Sequence, residues 1–307
     1  VADNLINGII NINKEKGYTS HDVVAKMRGI LKIRKIGHTG TLDPDAEGVL
    51  PICIGKATKV VDLIVEKDKT YEAVLKLGIV TDTQDITGKF LRTSVVDIDL
   101  PRIEEAVKGF IGGYNQIPPM YSAIRINGKR LYELARNNIE VNREPRFVDI
   151  QDIQILEFNK EESEVRVLVD CGKGTYIRTL LYDIGEVLGC GGTMKSLIRT
   201  RVGNFNISDS LTLDRVEELV RDETIDNYIT KIDDMFSNYP KVIVDKRFGK
   251  LIYNGNPFSE KHLISADEID RVHGMKVRVY DFEGDFIGIY SYNLINRNFT
   301  VEKMFYS

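Results

Sequence analysis

The sequence predicts an α+β fold in which a mixed, largely antiparallel sheet with flanking helices is followed by a small C-terminal β-domain. Three observations predict it. Strand and helix patterns alternate irregularly over residues 1–236 of the 307. The connections between them mix hairpin-like and crossover lengths, which favours a mixed sheet over a doubly wound parallel one. After Ser237 the pattern changes to short strands, so residues 237–307 are expected to form a separate unit.

The elements follow in order. Gly8 to Lys14 alternates with the period-two pattern of a strand, and Ser20 stands where an N-cap belongs, ahead of Val23, Val24, Met27, Ile30 and Leu31 at helical spacing. A Gly- and Thr-rich loop, Gly37 to Asp43, leads into the apolar run Val49 to Ile54. Ala57 to Glu66 reads as a helix and Thr70 to Leu77 as a strand. Pro101 at a first helical position opens a helix over Arg102 to Phe110, and Pro118 with Pro119 bars continuation. Phe147 to Phe158 and Val165 to Cys171 are strand-like, and Thr175 to Leu188 is a helix closed by Gly189. An acidic helical stretch, Leu213 to Phe236, precedes strands at Lys241 to Asp245, Met275 to Asp281 and Phe286 to Tyr292, with a turn at Glu283 and Gly284.

Composition excludes several classes. With 42% hydrophobic and 29% charged residues, the chain can bury one large core and a smaller one, and no apolar run approaches the ~20 residues that span a bilayer. The opening residues lack the basic flank and apolar run of a secretory leader; a cytoplasmic location is expected. Cys53, Cys171 and Cys190 are odd in number and far apart, and His21, His38, His262 and His273 show no ligand spacing, so neither disulfides nor a metal site is expected. The net charge of −4 argues weakly against nucleic acid, yet the distribution is uneven. Basic residues crowd three segments: Lys26 to Lys35, Arg125 to Arg136, and Lys195, Arg199 and Arg201.

Gly37-His38-Thr39-Gly40-Thr41-Leu42-Asp43-Pro44-Asp45-Ala46-Glu47-Gly48-Val49-Leu50-Pro51 is the most informative segment. Its glycines, threonines and Asp-Pro pair specify a tight loop that exposes backbone and presents one carboxylate. Taken alone, an Asp-Pro more often marks a turn or a helix cap than a nucleophile.

This segment resembles the catalytic loop of the TruB family of pseudouridine synthases, of the form Gly-His-Thr-Gly-x-Leu-Asp-Pro-x-Ala-x-Gly-Val-Leu-Pro, and matches it without a gap. The resemblance extends upstream through Gly8 to Ser20, where Glu15 replaces the usual proline. It extends downstream through Lys69-Thr70-Tyr71-Glu72-Ala73 and Gly78 to Gly88, then Pro118 to Ala123 with Gly128 to Tyr132, and finally Gly174 to Arg178. It implies the pseudouridine synthase fold, a PUA-like C-terminal domain, no cofactor, and isomerisation of a T-loop uridine in tRNA, at position 55 by family likeness.

The chemistry needs no group donor. The bond from C1′ to N1 must break, the base turn, C1′ join C5, and the C5 proton leave. By the resemblance Asp43 is the nucleophile, acting at C1′, at C6 or on the 2′ proton, with Arg178 favouring its charged form. Tyr71 would stack on the flipped-out uracil, and His38 would hold the opened T-loop. Lys14, Thr41, Tyr176 and Leu197 would line the site, Asp85 and Gly40 would brace it, and Lys129, Arg130, Arg199 and Arg201 would meet RNA. Ile198 stands where the family usually has an arginine. One subunit can engage such an RNA, so a monomer is expected.

Two other classes are weighed. A glycoside hydrolase would need paired carboxylates, but Asp43 and Asp45, two apart, point to opposite sides of an extended segment, and no Trp offers a sugar platform. A non-catalytic RNA-binding module would account for the basic clusters but not for the intact loop. Gly172-Lys173-Gly174-Thr175 lacks the spacing of a P-loop.

Overall fold

The computed structural model describes residues 6–126, 128–137, 139–269 and 272–306. Its main sheet runs in the order Gly8–Lys14, Glu47–Ile54, Gly192–Val202, Lys69–Leu77, Glu164–Cys171, Ile150–Asn159, with Ile36–His38 and Phe205–Asn206 added as short partners. All its pairings are antiparallel except that of Gly192–Val202 with Glu47–Ile54, joined at Ile198 with Glu47 and Arg199 with Gly48.

That one parallel contact splits a strand edge. Gly8–Lys14 covers one edge of Glu47–Ile54 completely. The other edge is shared: Ile36–His38 pairs with its last three residues and Arg199 with its start, leaving Val49 to Pro51 without a ladder between them. The carbonyls there are satisfied otherwise, Pro51 accepting from the Thr39 backbone N–H and hydroxyl, each at 3.2 Å, and Val49 from Arg199 Nε at 2.7 Å. A strand residue directs its N–H and C=O to the same edge, so proline at 51 costs no ladder bond. Gly48 is required for a different reason. Its φ is +103°, and a Cβ there would lie 2.3 Å from the Arg199 carbonyl oxygen.

The helices pack on the sheet in two groups. Leu100–Lys108 and Ile177–Leu188 pack on the centre of the sheet, burying Ile103, Val107, Leu180, Leu181 and Ile184 against Leu75, Val165 and Val167. Ser20–Leu31 and Leu213–Arg221 bury Val23, Met27, Val216 and Leu219 against Ile10, Ile12 and Ile52. A second, five-stranded sheet orders Leu263–Ala266, Lys241–Val244, Lys276–Tyr280, Phe286–Asn293 and Asn298–Met304 around its own aromatic core. It docks on the first sheet through Ile289 and Phe305, which pack with Ile9, Val60 and Phe236. The Tyr280 hydroxyl donates to Asp233 at 2.7 Å and Lys59 Nζ to the Met304 carbonyl at 2.8 Å.

Several sequence expectations are corrected. The cap of the first helix is Thr19, which exchanges hydrogen bonds with Asp22, so that Ser20 is free to face the loop. The helix after it in the reading, Ala57 to Glu66, is a 3₁₀ turn, Gly55–Val60, followed by a short α-helix, Val61–Val65. The helix expected at Arg102 starts at Leu100, capped by Asp99. The acidic stretch is one helix and two 3₁₀ turns, Ile225–Tyr228 and Ile232–Phe236. Gly192–Val202 is a central strand that the sequence shows only as a basic cluster, because its alternation is broken by irregularities at Met194/Ser196 and Arg199/Arg201.

Candidate active site

The loop that leaves Ile36–His38 emerges at the split strand edge and presents Asp43. Its shape is fixed from below. Ser20 Oγ accepts from the Leu42 N–H at 2.9 Å, the Ala46 N–H returns to the Asp43 carbonyl at 3.1 Å, and the Gly17 N–H donates to the Pro44 carbonyl at 2.9 Å. Leu42 and Ala46 anchor it by burying their side chains in the main core. Gly40, at φ +129°, turns the chain where few side chains could follow.

Arg178 meets the carboxylate at the first turn of the Ile177–Leu188 helix. Its Nε lies 2.8 Å from Asp43 Oδ2, and a terminal nitrogen lies 3.4 Å from Oδ1. The same guanidinium donates to the carbonyls of Thr83 and Tyr121, each at 2.8 Å, and stands 3.8 Å from Asp85. Its side chain is only 5% exposed while that of Asp43 is 39% exposed. A fixed, buried cation thus orients an anion whose oxygens face open space. Protein crowds the carboxyl from the other sides, and this desolvation pushes its pKa above the ordinary value, against the pull of Arg178 and with a further push from Asp85. The expected downward pull of the arginine is present; it does not win.

Tyr71 occupies the middle of a central strand, flanked by Val169 and Arg199 in register. It shares the core cluster that contains Leu42 and Ala46 and is 8% exposed. Burial raises the pKa of its phenol, which keeps it protonated. Tyr176, half-buried, precedes the Arg178 helix, and Gln116 clamps its backbone by accepting from its N–H and donating to its carbonyl. Thr41 is exposed on the loop. His38 Nδ1 accepts from the Gly40 N–H, which leaves the proton on Nε2, and burial lowers its pKa, as does His21, whose ring meets it edge-on at 5.2 Å.

Other expected contacts are relocated. Lys14 does not line the surface: it is fully buried, and Nζ donates to the carbonyls of Glu15, Tyr18 and Pro44. That burial lowers its pKa to about 8. Leu197 packs in the core beneath the site. Arg199, expected at phosphates, is 2% exposed, with hydrogen bonds to Val49 and Gly40. Arg201 is paired with Asp170 at 3.0 Å and with the Thr70 hydroxyl at 2.8 Å. Lys129 and Arg130 remain at the surface, on a hairpin followed by the short helix Leu131–Arg136, and the Arg130 and Arg136 guanidiniums lie 5.7 and 5.3 Å from the Tyr132 ring centre. The sequence reading missed the buried clamp Gln116 and the Thr83 and Tyr121 carbonyls. Gln116 had a usable signal, a polar residue two positions ahead of the Pro118-Pro119 stop.

Among the described residues no helix is long and apolar enough to cross a membrane, and no group of three or more His, Cys, Asp or Glu could hold a metal ion.

Residues 28–177 match the TruB family pseudouridylate synthase N-terminal domain, and residues 178–237 match the tRNA pseudouridylate synthase B C-terminal domain. The chain belongs to the TruB family of pseudouridine synthases. It is 51% identical to the tRNA pseudouridine synthase B of Lachnoclostridium phytofermentans over 98% of this chain and all of that protein. It is 48% identical to the protein of the same name from Alkaliphilus oremlandii, over 92% of each chain. Among solved structures, a Cbf5-Nop10-Gar1 complex superposes with a TM-score of 0.70 at 27% identity, over 97% of this chain and 84% of that one. An H/ACA RNP bound to a substrate RNA containing 2′-deoxyuridine gives 0.69 at 25% identity, over 98% and 85%. The TruB-family chain is therefore an isomerase with the pseudouridine synthase fold. The boundary between its two matched modules falls within the Ile177–Leu188 helix, beside the arginine that holds Asp43.

Proposed function

We propose that this chain converts a uridine in the T-loop of tRNA to pseudouridine, with Asp43 as its nucleophile and Arg178 and Tyr71 as its partners. The tRNA substrate rests on the full-length likeness to proteins named tRNA pseudouridine synthase B. The observation that carries the chemistry is the ion pair itself, a half-open carboxylate held at 2.8 Å by a 5% exposed arginine. Because Thr83 and Tyr121 fix that guanidinium, the carboxylate is aimed before substrate arrives, which removes reorganisation from the reaction step.

The atoms balance without a cofactor or metal. The electrons of the C1′–N1 bond go to the base, the freed uracil turns, C5 bonds to C1′, and the C5 proton is exchanged for one on N1. Asp43 opens that sequence at the sugar or the base. The protonated phenol of Tyr71 covers the everted uracil, which is extruded because its reacting atoms are inaccessible inside the stack. His38 and Thr41 meet the opened loop. Lys129, Arg130 and Arg136, with Tyr132 between the two arginines, face the RNA backbone.

The catalytic unit is assigned to residues 1–236 and a PUA-like unit, reaching further along the tRNA, to 237–307. The enzyme works as a monomer in the cytoplasm. The test is Asp43→Asn, incubated with a T-arm transcript and assayed by position-resolved pseudouridine mapping. Product formation should vanish while affinity for the transcript stays within about threefold. Product at the normal rate would remove Asp43 from the mechanism.

A further inference from the structure

Beneath the catalytic loop lie two buried cations, Lys14 at 0% and Arg199 at 2% exposure. Among the described residues neither has a carboxylate within ion-pair distance. Such charges are costly to bury, so each must be held by what it coordinates. Lys14 holds three carbonyls of the flanking turns. Arg199 does something different, because its contacts connect separate parts of the site.

Its Nε donates to the Val49 carbonyl at 2.7 Å, on the strand that follows the loop. A terminal nitrogen donates to the Gly40 carbonyl at 3.3 Å, within the loop and three residues before Asp43. Its backbone faces Tyr71 directly across the antiparallel pair, which sets the two side chains on one face of the sheet with Cβ atoms about 5 Å apart. The guanidinium is near enough to pull the Tyr71 phenol's pKa down, against the larger upward push of burial. Meanwhile the main chain of the same residue presses so closely on Gly48 that only a hydrogen fits there. One residue therefore touches the loop and its return strand and stands directly across the sheet from the aromatic residue expected to cover the base.

We propose that Arg199 is a positioning residue of the isomerisation: it fixes the distance between the loop bearing Asp43 and the ring of Tyr71, and it makes no contact with RNA. Arginine suits this task and lysine does not, since the planar guanidinium offers several N–H groups in fixed directions whereas an ammonium is a single point. The role rests on the proposed catalytic assignment of Asp43 and Tyr71.

The test compares Arg199→Lys and Arg199→Met with the unmodified protein and with Asp43→Asn, using a T-arm transcript. Four quantities are read for each: thermal unfolding, kcat, KM, and the salt dependence of transcript affinity. Arg199→Lys should fold, keep KM within about threefold, keep the slope of log affinity against log salt, and lose about 100-fold in kcat. Arg199→Met, where it folds, should lose at least as much. If Arg199→Met does not fold, Arg199→Lys alone decides, because one ammonium cannot reproduce the two fixed N–H directions toward Val49 and Gly40. A lowered unfolding temperature with normal kcat would make the role purely structural and overturn the proposal. A weaker affinity with a salt slope reduced by about one would make Arg199 a phosphate ligand and overturn it as well. Should Asp43→Asn remain active, the catalytic assignment fails instead, an outcome distinguishable from failure of the Arg199 role alone.

Discussion

The segments Arg125–Arg136 and Lys195–Arg201 are both rich in basic residues, and the fold treats them in opposite ways. In the first, Lys129 and Arg136 are exposed, and Arg130 and Arg136 approach the Tyr132 ring, so charge and an aromatic face are both offered outward. In the second, Lys195 is paired with Glu164, Arg201 with Asp170, and Arg199 is buried on carbonyls. The difference lies in the element. The first is a two-residue-per-strand hairpin, Arg125–Ile126 with Lys129–Arg130, and the short helix Leu131–Arg136, outside both large sheets, whereas Gly192–Val202 is the third strand of a wide sheet with partners on both sides. Basic density therefore yields an outward-facing cationic surface here only in the peripheral segment.

The comparison breaks most visibly at Arg178, another cation whose nitrogens are all in use. Arg178→Lys should lower single-turnover pseudouridine formation about 1000-fold, because an ammonium cannot reach Asp43, Thr83 and Tyr121 at once. A loss under tenfold, measured with enzyme in excess, would mean that charge alone suffices there. Next in size is the outward cluster. Replacing Lys129 and Arg130 together by alanine should weaken transcript binding about tenfold and lower its salt slope by about two, with the chemical step unchanged in rapid-quench assays. Equal losses from Arg201→Ala would erase the distinction between the two segments.

Acid sharpens the picture of Asp43. Its pKa lies above the ordinary 3.8 because burial outweighs Arg178, so the rate should fall with decreasing pH at a midpoint above the usual carboxylate range. The sign for stability is the reverse of an ordinary salt-bridged aspartate. A raised carboxyl contributes stability that is complete below 3.8 and lost as pH rises through the folded-state value. Asp43→Asn should accordingly raise the thermal midpoint at neutral pH, a gain that disappears in acid; differential scanning calorimetry across pH 3 to 8 decides it. The smallest effect belongs to Lys195→Ala. Its pair with Glu164 is half-exposed and shares that carboxylate with Lys76, so denaturant unfolding should move by less than about 0.5 kcal/mol.

Much of this was legible in the sequence. The loop Gly37 to Pro51 announces a presented carboxylate through its glycines and Asp-Pro pair, and the strand Gly8–Lys14 and the helix ending at Gly189 follow from periodicity and a left-handed terminator, φ +80° at Gly189. What could not be read is where long side chains end. Lys14 looks like any strand-end lysine until its three carbonyl partners, one of them thirty residues away, are assembled around it. Arg199 did carry a local hint, since it stands two residues from Leu197 and shares its buried face. The irregularity after Arg199 then breaks the count, which is why Arg201 could not be placed by the same rule.

The close approach at Gly48 sets a limit on how this protein can diverge. A methyl group at that position would collide with the peptide of residue 199, and a peptide is common to all twenty amino acids. No substitution at a neighbouring site could make room, as it could for a clash between two side chains. The position is closed to gradual change, and a lineage that altered it would have to rebuild the junction between the two strands in a single step.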